Sequence, residues 1–397
     1  MRELTYLGRT NWRGGRRRFG IHLRDRMAHT YIVGKTGTGK SSLLEALMRQ
    51  DILSDGGIAV LDPHGDLAER LMAWIPSWRM PDVIYLDVPN PEQPFRFNPI
   101  ADVPPLQRSL VANGIVEALK KIFADSWGWR LEHILRASLL LLLDQDTATI
   151  ADVLRLLTDD EFRDDAIGRA TNPHVKDFWT REFSRYGKAF RTEAIAPIQN
   201  KIGSFLVDPF ISRILTTPTS SFDPRTVMDR GQVLIVNLAK GKIGEAPAML
   251  FGSLLVSAFA TAALARSNVP PDKRRPFFLY ADEFQTFTTL ALASMLSELR
   301  KFNLGLLLSS QYLEQAAPEV RSAILGNAAT LIVFRVGASD ATKLAKELGN
   351  RIEIEDLTLL PNRAFWIRLL VHGQAYPPFT GTTLDIEPAT RAPPDNA

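Results

Sequence analysis

The run Gly34–Lys35–Thr36–Gly37–Thr38–Gly39–Lys40–Ser41 constrains this chain more than any other stretch. A short β-branched run, His29–Val33, precedes it, and a strong helix-forming run, Ser42–Met48, follows it. Strand, glycine loop and helix in that order make a phosphate cradle: the glycines let successive N–H groups turn inward, and the helix N-terminus lies under the anion. The spacing Gly-x4-Gly-Lys-Ser assigns Lys40 to β- and γ-phosphates and the Ser41 hydroxyl to Mg²⁺. The competing reading, a Gly/Thr-rich turn with a solvated lysine, does not explain the flanking strand and helix. The implied nucleotide-binding residues are Gly34, Lys35, Thr36, Gly37, Thr38, Gly39, Lys40, Ser41 and Ser42, with ATP and Mg²⁺ as the implied ligands.

Around this loop, apolar strands alternate with helices. Ile58–Asp62 and Val83–Asp87 read as strands separated by a helix over Asp66–Ile75, the pattern of a parallel sheet. The alternation stops near Pro104 and resumes at the strand Gln232–Leu238; between them the chain reads as consecutive helices. Further strands are expected at Phe277–Ala281, Leu304–Ser309, Thr330–Val336 and Ala364–Val371, with helices between them. The expected fold class is therefore α/β: a mostly parallel sheet flanked by helices, an all-α insertion and a short N-terminal β-hairpin. The expected boundaries are 1–28 for the hairpin, 29–103 and 223–386 for the two parts of the nucleotide-binding core, 104–222 for the insertion, and 387–397 for a disordered tail.

Composition removes several function classes. With no cysteine among 397 residues there is neither a disulfide framework nor a thiolate metal site, and the six histidines lack metal-ligand spacing. A net charge of +3 is too small to argue for nucleic acid, so any such surface must be local. Two local candidates exist. The hairpin tip carries Arg13, Arg16, Arg17 and Arg18 beside Trp12 and Phe19, and the helical insertion carries Lys176, Trp179, Arg181, Arg185, Lys188, Arg191 and Lys201. A solvated surface explains either group equally well. The uncharged stretch Ala246–Ala265 is long enough to span a bilayer, yet Pro247, Gly252, Ser253, Ser257 and Thr261 interrupt it, and it reads as a buried helix. With no signal-peptide pattern at the N-terminus, the expected location is cytoplasmic.

A second half-site follows downstream. The apolar strand Phe277–Ala281 ends in Asp282–Glu283. Asp282 suits Mg²⁺ as a Walker B carboxylate, and Glu283 can polarise a water for in-line attack on a γ-phosphate. The strand Leu304–Ser309 runs into Ser310 and Gln311, which makes Gln311 a candidate sensor of γ-phosphate or attacking water. A helix-capping role for Ser309 or Ser310 competes for the same polar cluster.

Taken together, the glycine loop, Asp62–Pro63–His64–Gly65–Asp66, Asp282–Glu283, and Ser309–Ser310–Gln311 followed by Asn327 and Phe334–Arg335 resemble the HerA–FtsK superfamily of P-loop ATPases. Within it, the chain is similar to the coupling proteins of type IV secretion, over roughly residues 20–380. The resemblance implies a RecA-like core, a homo-hexameric ring, and a DNA-translocating motor that hydrolyses ATP at subunit interfaces during conjugation-like transfer. It also implies Lys40, Glu283, Gln311 and an arginine acting on the neighbouring subunit as the catalytic set, with Ser41 and Asp282 on Mg²⁺. Arg300 stands where that arginine is expected, and Arg335 is a second candidate. DNA, further copies of the chain, and relaxase or secretion-channel proteins are the implied partners, through which the chain would sit peripherally at the inner membrane. There are two alternatives: an ATP-dependent recruitment receptor for a protein or nucleoprotein substrate, which belongs to another class, and a HerA-like DNA-processing ATPase. Asp62 is a further acidic group beside the loop, and His64 reads as a satisfied loop histidine. The chain departs from the membrane coupling proteins in having no apolar segment before the hairpin.

Overall fold

The structure is a computed structural model that describes residues 3–11, 15–54, 56–92, 95–349 and 352–385. Trp12 and Arg13 of the hairpin tip and the expected tail 387–397 lie outside the described residues. The chain divides into two compact units: residues 1–87, 225–239 and 266–397 form the first, and 88–224 with 240–265 the second.

The first unit is built on strands β1 (Leu4–Thr10), β2 (Arg18–His22), β3 (Thr30–Val33), β4 (Gly57–Asp62), β5 (Val83–Asp87), β6 (Val233–Asn237), β7 (Phe277–Ala281), β8 (Leu304–Ser310), β9 (Thr330–Val333), β10 (Ala364–Arg368), β11 (Leu370–Val371), β12 (Gln374–Ala375) and β13 (Phe379–Thr382). All but β11 and β12 form one sheet in the order β2-β1-β13-β10-β9-β3-β8-β7-β4-β6-β5. The run from β9 to β5 is parallel, while β10, β13, β1 and β2 add antiparallel strands on one side. Strands β3, β4, β6, β7, β8 and β9 are buried along their whole length, which is why they read as continuous apolar runs with no alternation. Burying each Val, Leu or Ile in them contributes about 1.5–3 kcal/mol.

The N-terminal hairpin is not a separate module. Arg9 and Thr10 of β1 pair with Thr382 and Gly381 of β13, so the hairpin closes one edge of the large sheet. Sequence reading missed this because β13 is four residues long with only one buried position, too short to show a period.

A buried network fastens the phosphate-loop helix, Lys40–Ile52, to β7. Arg26 donates to both oxygens of Asp51 at 2.6 and 2.7 Å, and the Tyr280 hydroxyl donates to the same carboxylate at 2.6 Å. The guanidinium also lies 3.9 Å from the Phe278 ring centroid. A buried ion pair gains little net stability, but its bidentate geometry admits one register between helix and strand.

The second unit is helical. Its main helices are Arg108–Ile122, Trp129–Leu142, Asp160–Arg169, Lys188–Leu206 and Glu245–Leu264. Several starts are legible locally: Asp159 accepts from Phe162 N, and Asn172 and Asp208 each cap a helix whose first residue is proline. The alanine-rich helix was expected within the nucleotide-binding core, whereas it groups with this unit. It packs on Arg108–Ile122, where a Cβ on Gly114 would come within 1.9 Å of the Ser257 hydroxyl. It is the one helix among the described residues long and apolar enough to cross a membrane, and two thirds of its apolar 18-residue stretch is buried. Trp179 and Lys201, expected on a nucleic-acid face, are core residues, while Lys176, Arg181, Arg185 and Lys188 are exposed.

Candidate active site

The sheet register brings the predicted residues to one edge. Val33 is level with Ser310, Ala281 with Leu308, and Leu61 with Ala281. The C-terminal ends of β3, β8, β7 and β4 therefore stand side by side and deliver the glycine loop, Gln311, Asp282–Glu283 and Asp62–His64. In a parallel sheet this edge is where ligands bind.

Within the loop, Gly37 and Gly39 have φ of +76° and +117°, values that an L side chain rarely adopts. The buried Thr38 hydroxyl donates to Lys35 O at 2.7 Å. Lys40 Nζ donates to Gly34 O at 2.5 Å and to Lys35 O at 3.2 Å, so the ammonium arches over the loop. Burial pulls its pKa below the ordinary lysine value, and the Asp282 and Glu283 carboxylates act against that pull. Ser41 is exposed at the first turn of the helix.

Asp62 and Asp282 end neighbouring strands, but their roles differ. Asp62 is fully buried, with Oδ1 accepting from His64 N at 3.0 Å and Oδ2 from Leu67 N and Ala68 N, both at 2.9 Å. It is thus spent on an Asx turn and on orphan amides of helix Asp66–Trp74. Asp282, by contrast, caps no helix; its Oδ1 accepts from Glu283 N at 3.1 Å. Burial pushes its pKa above the usual carboxylate range, and the neighbouring Asp62 charge adds to the rise. The Asp282 carboxylate and the exposed Ser41 hydroxyl are oxygen donors of the kind that suits Mg²⁺. No cluster of three His, Cys, Asp or Glu side chains that could hold a metal occurs among the described residues.

Glu283 is buried and has φ +46° and ψ +51°, the left-handed region. Its Oε1 accepts from Gln311 Nε2 at 2.9 Å and lies 3.1 Å from His64 Nε2. Gln311 was expected to face phosphate or water, and its amide rests on the glutamate. Ser310 caps no helix: its hydroxyl pairs with the Tyr31 hydroxyl at 2.7 Å, and its carbonyl accepts from Gly34 N at 3.3 Å.

Two arginines separate clearly. Arg335 lies beside its own phosphate loop. Its carbonyl accepts from Lys35 N at 2.9 Å, and its guanidinium donates to Leu360 O and to Asn362 Oδ1 at 3.2 and 2.8 Å. Its guanidinium is thus engaged within its own chain. Arg300 is exposed and precedes β8, at the sheet edge opposite the phosphate loop. The seven residues of β8 put roughly 20 Å between that edge and the loop, far beyond an arginine's reach.

Sequence reading missed the loop Leu360–Arg363. Arg363 holds φ +68° and its N–H donates to Thr38 O at 2.7 Å, so this turn braces the glycine loop. The Pro361–Asn362 pair signals a turn, but nothing in the sequence joins it to residues 34–41.

Residues 15–245 match the protein family described as Helicase HerA, central domain. No curated protein sequence matches the chain at a significant level. Solved structures with this fold include the unbound bacterial conjugative coupling protein TrwBΔN70, at 17% identity and TM-score 0.64, covering 97% of this chain and 90% of that one. The plasmid coupling protein TrwB with the ATP analogue ADPNP gives the same identity and TM-score, covering 97% and 91%. VirB4 of Thermoanaerobacter pseudethanolicus, at 14% identity and TM-score 0.60, covers 96% of each chain. At such identities the likeness is one of fold. The family match spans more than half of the chain, glycine loop included, and on that ground the chain belongs to the HerA helicase central-domain family.

Proposed function

We propose that this chain is an ATP-hydrolysing motor subunit that moves DNA, as part of a homo-oligomeric ring of the conjugation or secretion type. The observation that carries it is the convergence of Lys40, Asp282, Glu283 and Gln311 on one sheet edge while Arg300 stands on the opposite edge. Such a site is half built, and a head-to-tail neighbour in a ring would complete it. The bound ligands of TrwB, ADPNP in one structure and ADP with Mg²⁺ in another, support ATP and Mg²⁺ as ligands here.

In this reading the amides of residues 34–42 and the Lys40 ammonium hold the β- and γ-phosphates. Ser41 and Asp282 would hold Mg²⁺, whose chemistry there is to neutralise phosphate charge. Glu283 takes a proton from a water whose oxygen attacks the γ-phosphorus; the bond to the β,γ-bridging oxygen breaks, and ADP and phosphate result. Arg300 of the adjacent subunit stabilises the charge on the transferring group, a contribution worth about 10³–10⁵ in rate where it has been measured in GTPases. Exposed Arg181, Arg185 and Lys188 of the helical unit are the candidate contacts to DNA phosphates.

ATPase assays of the wild type and Glu283→Gln, with and without single- and double-stranded DNA, test this. Expected are DNA-stimulated hydrolysis in the wild type and a fall of about 10²–10⁴ in the variant with nucleotide binding kept. Mass measurement with a non-hydrolysable nucleotide and DNA should show an oligomer. Hydrolysis indifferent to DNA, from a species that stays monomeric, would sink the motor reading. A DNA affinity that does not fall with salt would favour a receptor for protein cargo.

A further inference from the structure

We infer that His64 is a positioning residue for Glu283, a role that rests on the hydrolytic reading and adds a member to its site. Three observations carry it. First, His64 Nε2 and Gln311 Nε2 converge on the same oxygen, Glu283 Oε1, at 3.1 and 2.9 Å. A carboxylate only accepts, so His64 must carry a proton on Nε2 to make this contact. Two donors on one oxygen fix the plane of the carboxylate.

Second, the turn that presents His64 is pinned at both ends. The His64 N–H is held by Asp62 Oδ1 at 3.0 Å, and the other Asp62 oxygen is held by Leu67 and Ala68 N–H groups. Gly65 follows at φ +95°, so close to β6 that a Cβ there would meet Asn237 Oδ1 at 2.7 Å. Asn237 Nδ2 in turn donates to Asp87 Oδ1 at 2.9 Å. The imidazole is therefore delivered to Glu283 from a backbone tied to β4, β6 and β5.

Third, Glu283 needs such support. It occupies a strained left-handed conformation at the strand end, of the kind that persists only where the surroundings hold it. A histidine serving only to fill its loop would have no reason to place its ring on a buried carboxylate, since its side chain is 48% exposed. Positioning of this kind acts on the rate of water attack and leaves nucleotide affinity alone, because Glu283 meets the water and not the phosphates.

The test compares His64→Leu and His64→Gln in the full chain, with steady-state ATPase kinetics under DNA stimulation and fluorescent ATP-analogue binding. His64→Leu is expected to lower kcat by roughly 10- to 100-fold with KM and analogue affinity within about twofold of wild type. His64→Gln keeps an N–H donor and should recover kcat to within about fivefold of wild type. A His64→Leu kcat equal to or above wild type, or a His64→Gln variant no better than His64→Leu, would overturn the positioning role while leaving ATP hydrolysis in place. A wild type that binds the analogue and never turns ATP over would remove the hydrolytic reading and this role together.

Discussion

Glu283 and Asp282 show what the site costs the fold. An L-residue in the left-handed region gives up about 1–2 kcal/mol, and Glu283 sits there next to a carboxylate whose ionised form burial disfavours. Because the folded pKa of Asp282 is raised, its ionised form costs stability at neutral pH, and that cost disappears as pH falls below the folded value. Asp282→Asn should accordingly raise the Tm of the nucleotide-free protein at pH 7–8 by about 2 °C, the shift for roughly 1 kcal/mol in a domain of this size. The same variant should lose Mg²⁺-dependent hydrolysis by more than about 10²-fold. Thermal melts beside ATPase assays check both; a variant that melts lower than wild type would show that the carboxylate is stabilised, not penalised, by its surroundings.

At the scale of elements, the strand carrying the glycine loop is tied to the helix carrying Arg300. His29 Nδ1 accepts from Leu306 N at 3.0 Å, which fixes the proton on Nε2, and Nε2–H donates to Leu296 O at 2.9 Å. One buried imidazole thus bonds β8 and helix Leu290–Leu299 from a position just before β3. Burial holds its pKa below the ordinary value of 6.5, and the Arg300 charge adds to the depression. The unfolded chain therefore takes up this proton first as pH falls, so the stabilising contribution is full above about pH 6.5 and is lost progressively below it. His29→Asn, which tolerates the local φ of +61°, should flatten the part of the Tm–pH profile that lies below about pH 6.5. An unchanged profile would mean that other groups govern the acid limb.

At the scale of the whole sheet, the glycine loop and Glu283 stand at one edge and Arg300 at the opposite one. If Arg300 serves a neighbour, Glu283→Gln and Arg300→Ala subunits are each inactive alone yet complement each other. In an equimolar mixture the Arg300→Ala site meets an intact arginine at about one interface in four, so about a quarter of wild-type activity should return. A mixture that stays inactive, under conditions where subunits exchange, would assign Arg300 to its own helix end and remove the argument for shared sites.

Much of this was written locally. The glycine loop, the strand ending in Asp282–Glu283 and the run into Gln311 are contiguous patterns, because a buried parallel strand must be apolar throughout and its polar groups must wait for its end. In the sheet β8 lies between β3 and β7, which sets the run into Gln311 between the glycine loop and Asp282–Glu283. Contacts between segments distant in the chain were not legible. That Asp62 is consumed by backbone amides, that Arg335 is bound to Asn362, that Arg363 braces Thr38, and that the hairpin joins the sheet through β13 all depend on neighbours that no local pattern announces. The sequence by itself determined which chemistry this chain carries, since residue types and short spacings set what a loop or strand end can bind. Only the tertiary structure decided which carboxylate is consumed by backbone amides and which histidine meets Glu283, because hydrogen-bond capacity is allotted by proximity in space, one donor and one acceptor at a time.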